Sequence, residues 1–314
     1  MIVDFIREHK DRRDGGLRWG VEPICRVLAE HGAKIAPSTY YEWKGKPSSP
    51  RAGRDRVLLG EIRRVCEASF GIYGARKVWL QLNREGVVVA RCAVERLMRA
   101  HGIQGVTRRR RKRTTVQDPT LPAPGDLVER RFDPPAVDRL WVADFTYVST
   151  WSGWVYVAFV QDCYSRRILG WRASTSMTAD LVVDALDQAV WARRREGRTD
   201  FTRLVGHSDR GSQYLSVKHS QRLADVGITP SAGSVGDSYD NAAAETLNGL
   251  YKAEVIWRQG PWRTRDHVEW ATAVWVEWYN NRRLHEHCDD LTPAEVENHY
   301  HQHHQSQEHL RQPA

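Results

Sequence analysis

From Leu140 the chain passes through three stretches of alternating apolar residues joined by connections too short for a crossover. LWVADFTYVST sets Val142, Asp144, Thr146 and Val148 on one face and Trp141, Ala143, Phe145 and Tyr147 on the other, the period-2 pattern of a strand. Ser152-Gly153 turns the chain into VYVAFVQDCYS, and Ser165-Arg166 turns it into ILGWRAS. Strands joined this tightly run antiparallel, so a three-stranded meander is expected. Asp144 is its odd member. Aspartate disfavours strands and is rarely buried without a partner, yet it stands mid-strand between Ala143 and Phe145. Taken alone, a hydrogen-bonded structural aspartate accounts for it as well as a functional one does.

Beyond the meander, Val182, Leu186 and Ala189 keep helical step after Thr178, and LVGHSD reads as a short strand ending at Asp209. A helix over about 216–226, a short strand at GITPSAG and a long helix from about 240 follow, then helices around 265–281 and 292–300. Three antiparallel strands and then helix, strand, helix, strand, helix is the order of an α/β, ribonuclease-H-like core: a mixed five-stranded sheet with flanking helices. That order can bring three acids to one sheet edge: Asp144 inside a strand, Asp209 at the exit of its neighbour, and Glu245 on a crossing helix. Between Asp209 and Glu245 lie 35 residues. Carboxylates so placed suit two-ion phosphoryl transfer, in which a pair of divalent cations activates the attacking oxygen, stabilises the leaving one and neutralises the phosphate. Magnesium prefers such hard oxygen ligands and keeps open positions for substrate. Asp162, Asp237 and Asp240 fit less well, the first lacking a partner at useful spacing and the others lying in a Gly/Ser loop. Asn241, Asn248 and Lys252 share the helix face of Glu245, where amides and an ammonium suit a DNA backbone.

The front of the chain has the opposite electrostatic character. Of residues 1–115, 26 are lysine or arginine and 12 are acidic, whereas the remainder holds 21 against 27. A basic front and an acidic back imply one part that holds phosphates and another whose acids need cations. Residues 1–48 read as helical, a candidate helix-turn-helix fragment, with Ile24, Val27 and Leu28 inward, Gly32 as a C-cap and Ser38 or Thr39 as an N-cap. Residues 49–106 carry three amphipathic helices, the last exposing Arg91, Arg96 and Arg99, as a helix-turn-helix reader requires. A basic, extended linker spans 107–135; its run Arg108, Arg109, Arg110, Arg111, Lys112 and Arg113 cannot enter a core and must face solvent or phosphate. The core is expected over 136–300 and a disordered His-rich tail over 301–314. The five cysteines form no CxxC pair, and no apolar run approaches a membrane span. The charged amino terminus is no signal peptide, so a soluble protein of the reducing cytosol is expected.

Four segments then carry a family resemblance: WVADFTYVSTWSGWVYVAFVQDCYSRRILGW, HSDRGSQY, GDSYDNAAAETLNGLYK and YNNRRLHEHCDDLTPAEVE. Together they resemble the second-reading-frame protein of IS-three-family insertion sequences, transposases with a retroviral-integrase-like DDE core, especially the mycobacterial-type branch. YGARKVWLQLNREGVVVARCAVERLMRAHGI resembles the helix-turn-helix domain preceding that core, and the likeness spans roughly residues 20–300. It implies that Asp144, Asp209 and Glu245 hold two magnesium or manganese ions, and that Lys252 engages the DNA of the element's ends. It also implies end cleavage that frees a 3′-hydroxyl, then joining of that hydroxyl to target DNA by transesterification. His285, in the NNRRLH segment, is expected as a DNA or active-site contact. The retroviral zinc-binding module is missing, as are the upstream frame's zipper and any heptad repeat. Homo-oligomers on DNA, and an upstream-frame product or a frameshift fusion, are therefore expected. Two alternatives remain open: a DNA-binding regulator of transposition without catalysis, and a ribonuclease-H-like nuclease. Trp270, Trp275, Trp278 and Tyr279 could stack bases, but at helical spacing with Val268 and Ala271 most of them read as core.

Overall fold

The structure, a computed structural model, describes residues 2–45, 49–107, 124–209, 211–233 and 241–311. Arg108, Arg109, Arg110, Arg111, Lys112 and Arg113, together with Asp237 and Asp240, lie outside the described residues. The chain divides into two compact units, Met1–Ala68 with Val78–Gln104 and Ser69–Lys77 with Gly105–Ala314.

The smaller unit begins with α1 (Ile2–His9), a short hairpin of β1 (Arg13–Asp14) and β2 (Leu17–Arg18), α2 (Val21–Glu30) and α3 (Pro37–Gly45). Ile6, Val21, Ile24, Cys25 and Tyr40 close a small apolar cluster. Two local expectations fail. Val27 is exposed, and α3 opens on Pro37 ahead of Ser38 and Thr39, because proline's fixed φ and missing N–H suit a first helical position. Next come α4 (Pro50–Ala68), α5 (Ala75–Arg84) and α6 (Arg91–Ala100). They bury Ile62, Val65, Val78, Leu82, Val94, Leu97 and Met98. The turn from α5 to α6 is tight: Gly86 takes φ 83°, and the Val87 amide returns to the Leu82 carbonyl at 2.9 Å. Trp79 donates through Nε1 to the Val89 carbonyl at 2.8 Å, pinning the entry to α6.

The larger unit is built on β3 (Leu140–Thr150), β4 (Gly153–Asp162) and β5 (Ile168–Ser174), followed by α7 (Ala179–Arg195), β6 (Val205–Ser208), α8 (Val217–Val226) and β7 (Thr229–Ala232). Within the described residues the sheet order is β5-β4-β3-β6-β7. β4 is antiparallel to β3 and β5, whereas β6 is parallel to β3 and β7. This is the ribonuclease-H-like arrangement, with helices on both faces. Trp141, Ala143 and Phe145 pack toward α7 in the main core. Val142, on the other face, meets Ala243 and Ala244 of α9 (Ala242–Tyr251). α9 runs on through a π-helical turn, Lys252–Ile256, into α10 (Trp257–Gln259). α11 (Arg265–Asn281) buries Trp275, Trp278 and Tyr279, while Trp270 is exposed.

The chain from 301 differs from expectation. α12 (Pro293–Arg311) continues as helix through Arg311, since glycine is absent from it and proline occurs only at its first position. Tyr300 packs edge-on to Tyr164 at 5.2 Å. α12 is also tied down by charge. Arg193, 1 % exposed, gives hydrogen bonds to Glu297 at 2.6 and 2.9 Å and to Asp138 at 2.8 Å, and Arg167 reaches Glu297 at 2.6 Å. Burial alone would raise the Glu297 carboxyl, but the hydrogen bonds and charges of the two arginines override it and hold it at about 2. Asp162 is wholly buried and accepts from the Ser165 amide and hydroxyl. Burial pushes it up to about 6 against the pull of Arg193.

A carboxyl with its folded pKa depressed contributes stability above its unfolded value that is lost as pH falls through the folded one. Glu297→Gln is therefore expected to cost about 3 kcal/mol in urea unfolding at neutral pH. The gap from the parent should narrow as pH falls from the ordinary glutamate range toward 2. A gap that is constant with pH would show that Glu297 contributes through packing and not through charge.

Candidate active site

β6 pairs with β3 over four residues only, and the last pair is Ala143 with Ser208. The next residue on each side is an aspartate, Asp144 and Asp209, so the two acids stand level on neighbouring parallel strands, with backbones about 5 Å apart. β3 continues past this point, paired with β4 as far as Thr150, which leaves its other edge without a strand partner among the described residues. Beyond Ser208 the Gly211 amide folds back to donate to Asp209 Oδ1 at 2.9 Å.

Each Asp144 oxygen is held. Oδ1 accepts from the Phe145 amide at 2.8 Å, and Oδ2 accepts from Asn248 Nδ2 at 2.8 Å. Burial, and then the Asp209 charge, raise the Asp144 carboxyl well above the usual range; the field of Glu245 adds to this, and the hydrogen bonds from Phe145 and Asn248 oppose it. Asp209 is raised by burial, against the Gly211 amide and His207. The Tyr214 hydroxyl is raised by burial and then by the two aspartates. Among the described residues no lysine or arginine pairs with Asp144 or Asp209. Negative charge is thus concentrated where solvent is sparse, a condition that favours uptake of a proton or a cation.

Glu245 lies in the first turn of α9, exposed, and contributes to Asp144 through its field. Among the described residues no three His, Cys, Asp or Glu side chains are close enough to hold a metal as they stand. The donor set nonetheless suits a hard cation, being made of carboxylate oxygens. Three further buried polar atoms, Asn241 Oδ1, Asn248 Oδ1 and Tyr214 Oη, have no hydrogen-bond partner among the described residues. Buried polar atoms are seldom left so.

The remaining candidates are dispersed. Asn241 and Asn248, expected to face DNA, are buried and turn toward β3, Asn241 Nδ2 donating to the Ala143 carbonyl at 3.3 Å. Lys252 is buried with Nζ 4.8 Å from the centre of the Tyr147 ring. His285 is turned inward: its nitrogens meet Arg283 and the Tyr279 carbonyl at 3.2 Å, and burial and Arg283 push its pKa well down. As placed it is a neutral structural histidine with no face for DNA. In the smaller unit, Arg91 pairs with Glu95 at 2.7 Å and Arg96 with Asp55 at 2.6 Å, and Arg99 is exposed. Sequence reasoning missed Tyr214, although it closes the HSDRGSQY segment. An aromatic five residues past a strand-end acid is a weak signal without the fold.

Comparison with known proteins agrees with this architecture. Integrase core domain models match residues 134–238 and 226–293, and an HTH-like domain model matches residues 53–111. The chain is 57 % identical to a protein named as transposase for insertion sequence element IS986/IS6110 in Mycobacterium tuberculosis (strain H37Rv), over 84 % of this chain and 95 % of that protein. It is 51 % identical to the transposase for insertion sequence element IS629 of Shigella sonnei, over 95 % of each. The transposase InsF for insertion sequence IS3A of Escherichia coli (strain K12) is 29 % identical over 94 % of this chain and 97 % of that one. Among solved structures, the HTLV-2 integrase catalytic core domain in complex with magnesium overlaps with TM-score 0.39 at 14 % identity, over 52 % of this chain and 97 % of that one. That overlap is too slight to add to the strand order. With an integrase core, a helix-turn-helix-like domain and near-full-length relatives of this similarity, the chain belongs to the IS3 family of insertion-sequence transposases, enzymes with a DDE-type integrase core.

Proposed function

We propose that Asp144, Asp209 and Glu245 together hold the divalent cations of a DNA strand transferase that cleaves the ends of its insertion sequence and joins the freed 3′-hydroxyl to target DNA. The observation that carries this reading is the level placement of Asp144 and Asp209 at the point where β3 and β6 part, with no lysine or arginine partner among the described residues. Magnesium or manganese ions, two of them, would supply Lewis-acid stabilisation of the phosphate and an activated attacking oxygen.

The chain's own residues orient these ligands. The amides of Phe145 and Gly211 fix one oxygen each of Asp144 and Asp209, and Asn248 fixes the second oxygen of Asp144. All three favour the ionised form that a metal ligand must adopt. Glu245 completes the set by turning inward from the first turn of α9. Its exposed position fits a third carboxylate repelled by two others until cations are present. Lys252 contacts the backbone of the element's end, and Arg99 and the basic run at 108–113 bind DNA phosphates. On DNA the chain acts as a homo-oligomer, together with an upstream-frame product or as a frameshift fusion.

With magnesium and oligonucleotides bearing the element's ends, Asp144→Asn, Asp209→Asn and Glu245→Gln are each expected to lose at least about tenfold in strand joining. Electrophoretic binding to the same DNA should be largely retained. A variant that joins strands at more than about a tenth of the parent's rate would remove that acid from the proposed set.

Asn248→Ala tests positioning. Loss of a hydrogen bond to a charged group is expected to slow joining about tenfold or more. Because the ionised Asp144 is then less favoured, part of the activity should return at higher magnesium concentration. A loss that magnesium does not relieve would mean that Asn248 acts elsewhere.

A further inference from the structure

Past Asp144, β3 and the chain after α9 together frame an open groove of about 530 Å³. Four large aromatic side chains line it, and all are unusually exposed: Tyr147 44 %, Trp151 71 %, Trp154 53 % and Trp257 54 %. Lys252 and the buried Trp262 also line it. A contiguous cluster of exposed rings marks an interaction site more often than a solvated surface. The frame is built and not frayed. The Trp151 amide donates to the Trp262 carbonyl at 3.0 Å and the Ser152 amide to the Arg263 carbonyl at 3.2 Å. Trp262 Nε1 is anchored on the Ile256 carbonyl at 2.9 Å. Tyr147 and Trp154 meet edge to face at 5.3 Å, so the tip of the hairpin is rigid.

Charge identifies the occupant. Lys252 lies over Tyr147 and the Arg263 guanidinium lies 5.6 Å from the Trp151 ring, so flat apolar faces alternate with cations. That combination fits unpaired nucleobases and their phosphates: the rings take the base faces and the cations take the backbone. Bases inside a duplex offer no free faces, because their neighbours cover both sides. The groove is built on the same two elements that carry Asp144 and Glu245, although Tyr147 belongs to the other face of β3. Tyr147 stands three residues beyond Asp144 on β3, about 10 Å along the strand, and Lys252 stands seven beyond Glu245.

We propose that this groove stacks unpaired bases at the end of the element's DNA, holding the terminal pairs apart beside the three acids. The inference rests on the function proposed above and adds a separation step to it. Opening the terminal pairs has a cost, and stacking on tryptophan offsets it without regard to sequence.

The test uses the full chain without metal, in EDTA, so that no reaction intervenes. Fluorescence anisotropy compares a blunt duplex of the element's end with the same duplex carrying a short unpaired tail that contains 2-aminopurine. The tail is expected to tighten binding about fivefold or more, the effect of at least one stacked base, and the 2-aminopurine emission should be quenched. Trp151→Ala combined with Trp257→Ala should abolish both effects, so that the tailed duplex binds no better than the blunt one, whereas Trp151→Phe should keep them. Both tryptophans are exposed, so an unaltered thermal unfolding curve is expected for the variants. The proposal is overturned if the parent shows no preference for the tail, or if the double variant retains it. It is equally overturned if the double substitution abolishes self-association and leaves tail binding intact, since the groove would then join copies of the chain. Failure of the parent to join strands with magnesium would sink the proposed activity and leave the stacking result standing.

Discussion

Everything distinctive about the core unit follows from two like charges placed side by side where water is scarce. The parallel contact between β3 and β6 lasts four residues and stops at Ala143 and Ser208, so Asp144 and Asp209 emerge together. In water such a pair would repel weakly; here burial comes first among the causes that raise both carboxyls, and at Asp144 their mutual repulsion is added. Among the described residues no lysine or arginine relieves this, although the chain is rich in both. It surrounds the pair with neutral donors, two backbone amides and an asparagine, which orient the carboxylates without cancelling their charge. The stress is left for a ligand to remove. That distinguishes the site from the Arg193–Glu297–Asp138 cluster, where every charge already has a partner and the result is structural.

Much of this could be read from the residues. The alternation in 140–150 set the two faces of β3 correctly, Trp141, Ala143 and Phe145 against α7 and Val142 against α9, because a buried strand with two different neighbours must alternate. The meander was legible because its turns are short, and the approach of Asp144 to Asp209 followed from the order of elements. The depth of side chains was not legible. Asn241 and Asn248 share a helix face with Glu245, but helical step cannot say that this face turns toward β3, and the amides proved to be buried supports.

The same limit governs the segment Tyr279–Cys288. Histidines, arginines and a cysteine close in sequence look like a binding motif. In the fold, Arg283 forms a buried pair with Glu254 at 2.6 Å, and Trp275 donates to the same carboxylate at 3.0 Å. Glu254 lies in the π-helical turn, and no local pattern in 252–256 announces that turn or its partner 29 residues further on. Composition alone reads the polar, histidine-rich end 301–314 as disordered, but the helix that Arg193 anchors through Glu297, 104 residues away, runs on as far as Arg311.

Gly170 on β5 bears on how the molecule can accommodate a double helix. A Cβ at this position would lie 2.0 Å from the Ala185 carbonyl oxygen, so α7 rests on the sheet backbone to backbone, with no side chain between them to act as a cushion. A layer seated that closely has no room to slide, and the rear of the sheet serves as a fixed anvil. Any shape change that follows the arrival of substrate is therefore confined to the opposite side, where α9 lies on Val142 through two small alanines.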